Sequence, residues 1–287
     1  MHSVRAVCPT SSTLSNANSH ESNQPMLKLK DVILSLPLLL GCLASAQAQL
    51  ASVQIAGAKL TVEGQTVLIK LQANFQGNSL ELPRLAAPLR SLQWQGEEAV
   101  SNLKLQPELT TWKVTWDKLP KSEATIEMVL DAPALLMAEC QPIQATGDGS
   151  LFLPAHLATT TGDKIRYEPQ TIKNTVGYWA GMQNSASWTL KVAEPGKFNV
   201  AILQGCGAGN GGSTAEIALL PVAAGDKPAA QLEFEVLETG HFQNFVWRHL
   251  GEIKVTDSGD YQLRIRPKNI KRGALMDVRA VHLIRLP

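Results

Sequence analysis

The chain has 287 residues, with 26 Lys and Arg against 25 Asp and Glu and a formal net charge of +1. So even a balance implies no strong field and gives no electrostatic reason to expect nucleic acid or an anionic membrane as a partner. Hydrophobic residues make up 44% of the chain, enough to build a packed core rather than a disordered one.

The first twenty-five residues are rich in Ser and Asn without periodicity and read as an upstream extension. From Met26 the chain runs MLKLKDVILSLPLLLGCLASAQAQ, with Lys28 and Lys30, an apolar run from Val32 to Leu40, and then Ala46, Gln47 and Ala48. This is the layout of a secretory signal peptide cleaved after Ala48, and its apolar run is too short for a membrane span. Inside it, Leu39 to Cys42 is similar to a bacterial lipobox, in which Cys42 carries a lipid anchor; anchoring and simple secretion both stay open. Either route exports the protein to the periplasm, cell surface or medium.

Of the four cysteines, Cys8 and Cys42 fall in this segment. Cys140 and Cys206 remain, and in an oxidising compartment an isolated pair reads as a disulfide, with two buried thiols as the alternative. Zinc finds no support, because no Cys-x-x-Cys occurs and the histidines are isolated.

Beyond the signal segment the apolar pattern has period two. The stretch KLTVEGQTVLIKLQ alternates on either side of Gly64, TTWKVTWDKL puts Trp112, Val114 and Trp116 on one strand face, and ATIEMVLDAP alternates up to a proline stop. Residues 49–137 are therefore expected to form a small immunoglobulin-like β-sandwich with these tryptophans in its core. Residues 138–168 lose the period and read as a connector that packs on a second domain through Leu151, Phe152 and Leu153. In residues 169–287 the strand grammar returns: SWTLKV, a type II turn at EPGK, alternation through Phe198, Val200 and Ile202, then Leu232, Phe234 and Val236, Tyr261, Leu263 and Ile265, and finally LMDVRAVHLI. The fold class expected is all-β, with two antiparallel sandwiches.

Within LQGCGAGNGGS, Gly207, Gly209 and Gly212 spell G-x-G-x-x-G, the pattern of a dinucleotide loop. That fingerprint needs a helix after the third glycine, yet Gly212 is followed by STAEIALL and then Pro221. The stretch reads instead as a glycine-rich loop joining two antiparallel strands.

The run NTVGYWAGMQNSASWTLKVAEPGKFNVAILQGCGAGNGGSTAEI, with ETGHFQNFVWRHLGEIKVTDSGDYQLRIRPK and GALMDVRAVHLI, resembles the C-terminal accessory module of secreted bacterial sulfatases and fucosidase-type glycosidases. More distantly it is similar to jelly-roll carbohydrate-binding modules of the galactose-binding-like superfamily. The resemblance implies a non-catalytic jelly-roll that docks on a polysaccharide or packs beside a sulfatase or glycosidase. It implies an aromatic ligand platform at Phe242 and Phe245, and a structural Asp at Asp277, with Leu275 standing where the family has a ligand-binding Asn. It also makes Asp277 a candidate calcium ligand, with Glu168 as its partner, the alternative being an Asp paired with a nearby Arg or backbone N–H. The N-terminal stretch PLRSLQWQGEEAVSNLKLQPELTTWKVTWDKL is similar in rhythm to the small β-domains that trail fucosidase-type barrels.

Independently of family, sugars present flat apolar faces rimmed by hydroxyls, so their sites combine exposed rings with amide, imidazole and guanidinium groups. Tyr178, Trp179, Asn184, His241, Phe242, Gln243, Asn244 and Phe245 have those properties and fall in expected loops or strand ends. Burial of Trp179 and Phe242 inside the sandwich is the alternative. No G-x-S-x-G, H-E-x-x-H or acidic metal cluster is present, and no catalysis is expected. The functional expectation is an exported carbohydrate-binding protein; the alternatives are a cell-envelope protein that binds a protein partner and an uncharacterised hydrolase accessory.

Overall fold

The computed structural model describes residue 50 and residues 53–96, 103–120 and 124–287. The expected signal segment, including Cys8, Cys42 and the lipobox, lies outside these residues. Among the described residues the fold is all-β, with antiparallel sheets and only single-turn 3-10 helices, and no helix is long and apolar enough to cross a membrane.

The first sandwich faces a four-stranded sheet against a three-stranded one. The larger sheet orders β1 (Ala58–Glu63), β2 (Thr66–Leu71), β7 (Thr125–Leu130) and β4 (Leu89–Trp94); the smaller orders β3 (Ser79–Pro83), β6 (Thr111–Thr115) and β5 (Lys104–Pro107). Alternation selects the core, since every second residue of a strand faces inward. Trp112, Val114 and Trp116 are buried as expected, and the Trp94 and Trp116 rings meet edge to face at 5.5 Å.

The second sandwich also has two antiparallel sheets. One orders β10 (Arg166–Glu168), β11 (Thr175–Gly177), β18 (Asp277–Arg285), β13 (Gly196–Gly205) and β16 (Val246–Val255), with β8 (Leu151–Pro154) also pairing with β18. The other orders β15 (Ala230–Glu235), β14 (Thr214–Pro221), β17 (Gly259–Asn269), β12 (Ser185–Val192) and β9 (Thr159–Thr161). The segment read as a connector thus supplies three short strands, β8, β9 and β10, to this sandwich. One continuous apolar core runs through both sandwiches. Where they meet, Arg84 donates to the carbonyls of Ala158 (2.6 Å) and His156 (2.9 Å), and the Leu89 amide donates to the Pro169 carbonyl (2.8 Å).

Three expectations about turns and cross-links are corrected. The glycine-rich loop leads from β13 in one sheet to β14 in the other, so it crosses the sandwich rather than joining paired neighbours. Its glycines serve geometry: Gly209 and Gly212 take φ of 76° and 81°, and a Cβ on Gly207 would lie 2.6 Å from the Phe242 ring. At EPGK no type II turn forms, because Gly196 is not among the glycines with positive φ and instead opens β13, where Arg285 donates to the carbonyls of Glu194 (3.1 Å) and Pro195 (2.9 Å).

The expected Cys140–Cys206 disulfide is absent, and both are free thiols. Cys140 sits in a 3-10 turn where the sandwiches meet, with its thiol 3.6 Å from the Leu136 carbonyl, whereas Cys206 is buried beside the carbonyls of Gly207 and Leu275. Burial lifts the Cys206 thiol to a pKa of about 11, which leaves it protonated and unreactive. Adding a reductant to the folded protein is therefore expected to leave its thermal midpoint unchanged; a fall of several degrees in calorimetry would reveal a disulfide that the fold depends on.

Candidate functional site

A cavity of about 320 Å³ opens on the six-stranded sheet, lined by Glu168, Lys173, Tyr178, Phe242, Gln243, Ala274 and Asp277. Three short segments build it: the β10–β11 hairpin with the turn after it, the loop between β15 and β16, and the start of β18.

The turn after β11 divides two adjacent aromatics between the surface and the core. Tyr178 takes φ of 60°, a left-handed conformation that costs a residue with a Cβ about 1 kcal/mol or more. The residue is 44% exposed, and its ring lies under the Arg166 guanidinium at 3.4 Å. Trp179 is turned into the core, donating from Nε1 to the Val176 carbonyl at 2.9 Å while its own carbonyl accepts from the Leu275 amide at 3.0 Å. The expectation that Trp179 stacks on a ligand is thus corrected, because the core claims its indole. Asn184 is corrected too: it is buried, accepts from the Asp163 amide (3.2 Å) and donates to the Tyr178 carbonyl (3.5 Å), so it holds the turn rather than meeting a ligand.

The loop between β15 and β16 is stapled from within. Asn244 donates to the Thr239 carbonyl at 2.6 Å, the Gln243 amide donates to His241 Nδ1 at 3.2 Å, and Thr239 exchanges bonds with the Cys206 backbone. Asn244 and His241 are exposed, but their side chains are engaged in bracing this loop. The bracing sets Phe242 over Gly207, half-buried at the mouth of the cavity. Phe245 lies outside the cavity with the Arg279 guanidinium over its ring at 3.8 Å.

Two carboxylates converge at the floor. A Cβ on Gly177 would lie 2.8 Å from Glu168 Oε2 and 2.9 Å from Asp277 Oδ1, so only glycine leaves room for the pair. Glu168 is ion-paired with Lys173. Among the described residues Asp277 has no such partner: burial first, and then the Glu168 charge, push its pKa from 3.8 up to about 8, against the opposing pull of Lys173 and Arg279.

The calcium expectation fares poorly against this geometry. Calcium takes 6–8 oxygen ligands, more than the two carboxylates gathered here supply. Among the described residues no group of three or more His, Cys, Asp or Glu side chains is placed to hold a metal, and the Lys173 ammonium already balances Glu168. Leu275 is buried and offers the cavity no polar side chain.

The structure thus gathers Tyr178, Phe242, Gln243, Glu168 and Asp277 of the expected residues around one cavity and sets Trp179, Asn184 and Phe245 apart from it. Lys173 and Arg166 were missed. Their signal was the alternation in β10 and the short hairpin that returns Lys173 to Glu168, legible only once the pairing of Glu168 with Thr175 is known.

No family model matches this sequence, and no curated protein is similar to it. Among solved structures, the chain is similar to an α-L-fucosidase from a Vibrio species (TM-score 0.32, 12% identity), matching over 88% of its own length and spanning 45% of the fucosidase. It is also similar to the C-terminal CBM6 of LamC from Zobellia galactanivorans (TM-score 0.38, 18% identity, 47% of this chain and 99% of the module). A family 35 carbohydrate-binding module from Clostridium thermocellum matches with TM-score 0.36 and 12% identity, over 48% of this chain and 98% of the module. At such scores the function rests on this chain's own side chains.

The raised pKa of Asp277 has a consequence for stability. Between the ordinary carboxylate value of 3.8 and about 8, the folded state holds a proton that the unfolded chain has lost. The stabilisation is complete at acid pH, falls as pH rises through that window, and levels off above it. Asp277→Asn is expected to flatten this decline in thermal melts taken across the window, measured as the difference from wild type; an unchanged slope would show that Asp277 titrates as an ordinary carboxylate.

Proposed function

We infer that this chain is a non-catalytic carbohydrate-binding protein that docks on a polysaccharide through the cavity between Tyr178 and Phe242. The observation that carries the reading is the pairing of two partly exposed rings with Lys173 and Gln243 beside them and Glu168 and Asp277 at the floor. A pyranose offers apolar C–H faces to rings and hydroxyls to such groups, and a cavity of this size suits one sugar unit. The strained backbone of Tyr178, held by Arg166 and by the buried Asn184, supports the same reading, since strain of this kind is retained where a side chain must be presented.

The absence of catalysis belongs to the same reading, and the ion pair that occupies Glu168 supports it. So do export through the segment before residue 49 with a lipid anchor at Cys42 as one route, and work beside a secreted sulfatase or glycosidase; these rest on the sequence and its resemblance.

The test is a binding panel of neutral and sulfated polysaccharides against the protein and a Tyr178→Ala, Phe242→Ala double variant. The expected outcome is retention by at least one polysaccharide, weakened on the order of tenfold or more in the variant with its melting curve preserved. No retention by any polysaccharide would overturn the reading.

A further inference from the structure

The outer face of the six-stranded sheet carries a second set of rings that the cavity does not use. Phe152 on β8, His282 on β18 and Trp247 on β16 converge, with ring centroids 5.7 Å apart for Phe152 and His282 and 6.4 Å for each of the other two pairs. Phe152 and Trp247 are 45% and 46% exposed. Register brings them together: His282 pairs with Phe152 on one side and with Ala201 on the other, while Leu203, two residues along β13, pairs with Trp247. Ala201 and Ala280 lie on this outer face, outside the core, yet are only 3% and 1% exposed, which fits a roof made by the rings. The other sheet of the sandwich instead presents Glu216, Glu233, Arg266 and Lys268 as ion pairs on its outer face. An apolar row on one sheet face, where the opposite face is laced with charge, calls for an occupant.

The row and the cavity share that face through one irregularity in β18. Gln204 pairs with Val278 but Leu203 pairs with Ala280, so Arg279 is an extra residue in the strand. The insertion shifts the alternation by one position, and Asp277 and His282 both point outward. Arg279 lies between them and stacks on Phe245. From Asp277 to His282 the strand advances about 13 Å, four paired steps along β13 at about 3.3 Å each.

We propose that this face is a single track for an extended polysaccharide, with one sugar in the cavity at Tyr178 and Phe242 and later sugars of the same chain on the Phe152, His282 and Trp247 row. The proposal rests on the carbohydrate reading above and adds the substrate class, an internal stretch of polymer rather than a terminal sugar. Rings accompanied by Gln243, Lys173 and Arg279 suit a ligand that repeats an apolar face and a hydroxyl rim; a protein partner would favour a broad core depleted of charge.

The experiment is calorimetric titration of the full chain with a length series, disaccharide to octasaccharide, cut from the polysaccharide that the panel retains. Affinity is expected to rise along the series. A Phe152→Ala, Trp247→Ala double variant should bind the disaccharide as wild type does and lose on the order of tenfold for the octasaccharide, with Trp247→Phe, which keeps a ring, restoring most of it. Both residues are half-exposed, and an unchanged melting curve confirms that the variants fold. Octasaccharide binding unaffected by the double variant overturns the track, as does an equal loss for every length; in either case, loss of binding in the Tyr178→Ala, Phe242→Ala variant leaves the cavity reading standing. Failure of the wild-type protein to bind any polysaccharide overturns both.

Discussion

The pleat of β18 imposes the constraint on which the site depends. This strand pairs with β11 and β8 along one edge and with β13 along the other, so its side chains have only two destinations, the core or the outer face of the sheet. Val278, Val281 and Leu283 fill the core. Strict alternation would then send Asp277 and His282 to opposite faces. The extra residue at Arg279 resolves the conflict by resetting the phase once, and a bulge of this kind is a recurrent way of re-aiming side chains near a functional surface.

A second constraint acts at the turn that follows β11. Tyr178 and Trp179 are adjacent, and the chain leaves β11 at this pair in a turn that presents the first and buries the second. The structure accepts a left-handed tyrosine so that Trp179 can fill the core, and offsets that strain with the Arg166 stack, the buried Asn184 and the Trp179 hydrogen bonds. Beneath it, Gly177 admits two carboxylates where any side chain would collide with both. Lys173 neutralises Glu168, and burial keeps Asp277 protonated through most of the neutral range. The result is a cavity floor with one ion pair and one neutral acid, a polar surface with little net charge.

The fold was largely legible in the sequence and the site only in part, and the difference has a physical cause. Period-two alternation is a local property, so the strands around Trp112, Trp188, Phe198 and Tyr261 show themselves without knowledge of their neighbours. Which neighbour each strand takes is non-local. Residues 138–168 lack a period because their strands are three or four residues long, too short for alternation to register, and the glycine-rich loop gave no sign that it crosses between sheets. The thiols of Cys140 and Cys206 were legible as residues but not as positions, and composition alone favoured a bond that their separate surroundings do not allow.

The sequence by itself determined an all-β chain with buried tryptophans at alternate strand positions, and no dinucleotide loop, since each of these follows from residue type and spacing along one segment. Tertiary structure alone decided that Tyr178 faces out and Trp179 in, that Glu168 and Asp277 meet at Gly177, and that Phe152, Trp247 and His282, separated by long stretches of chain, form one row. These depend on register between strands distant in sequence and on a single inserted residue in β18, and neither leaves a mark in the local pattern of the chain.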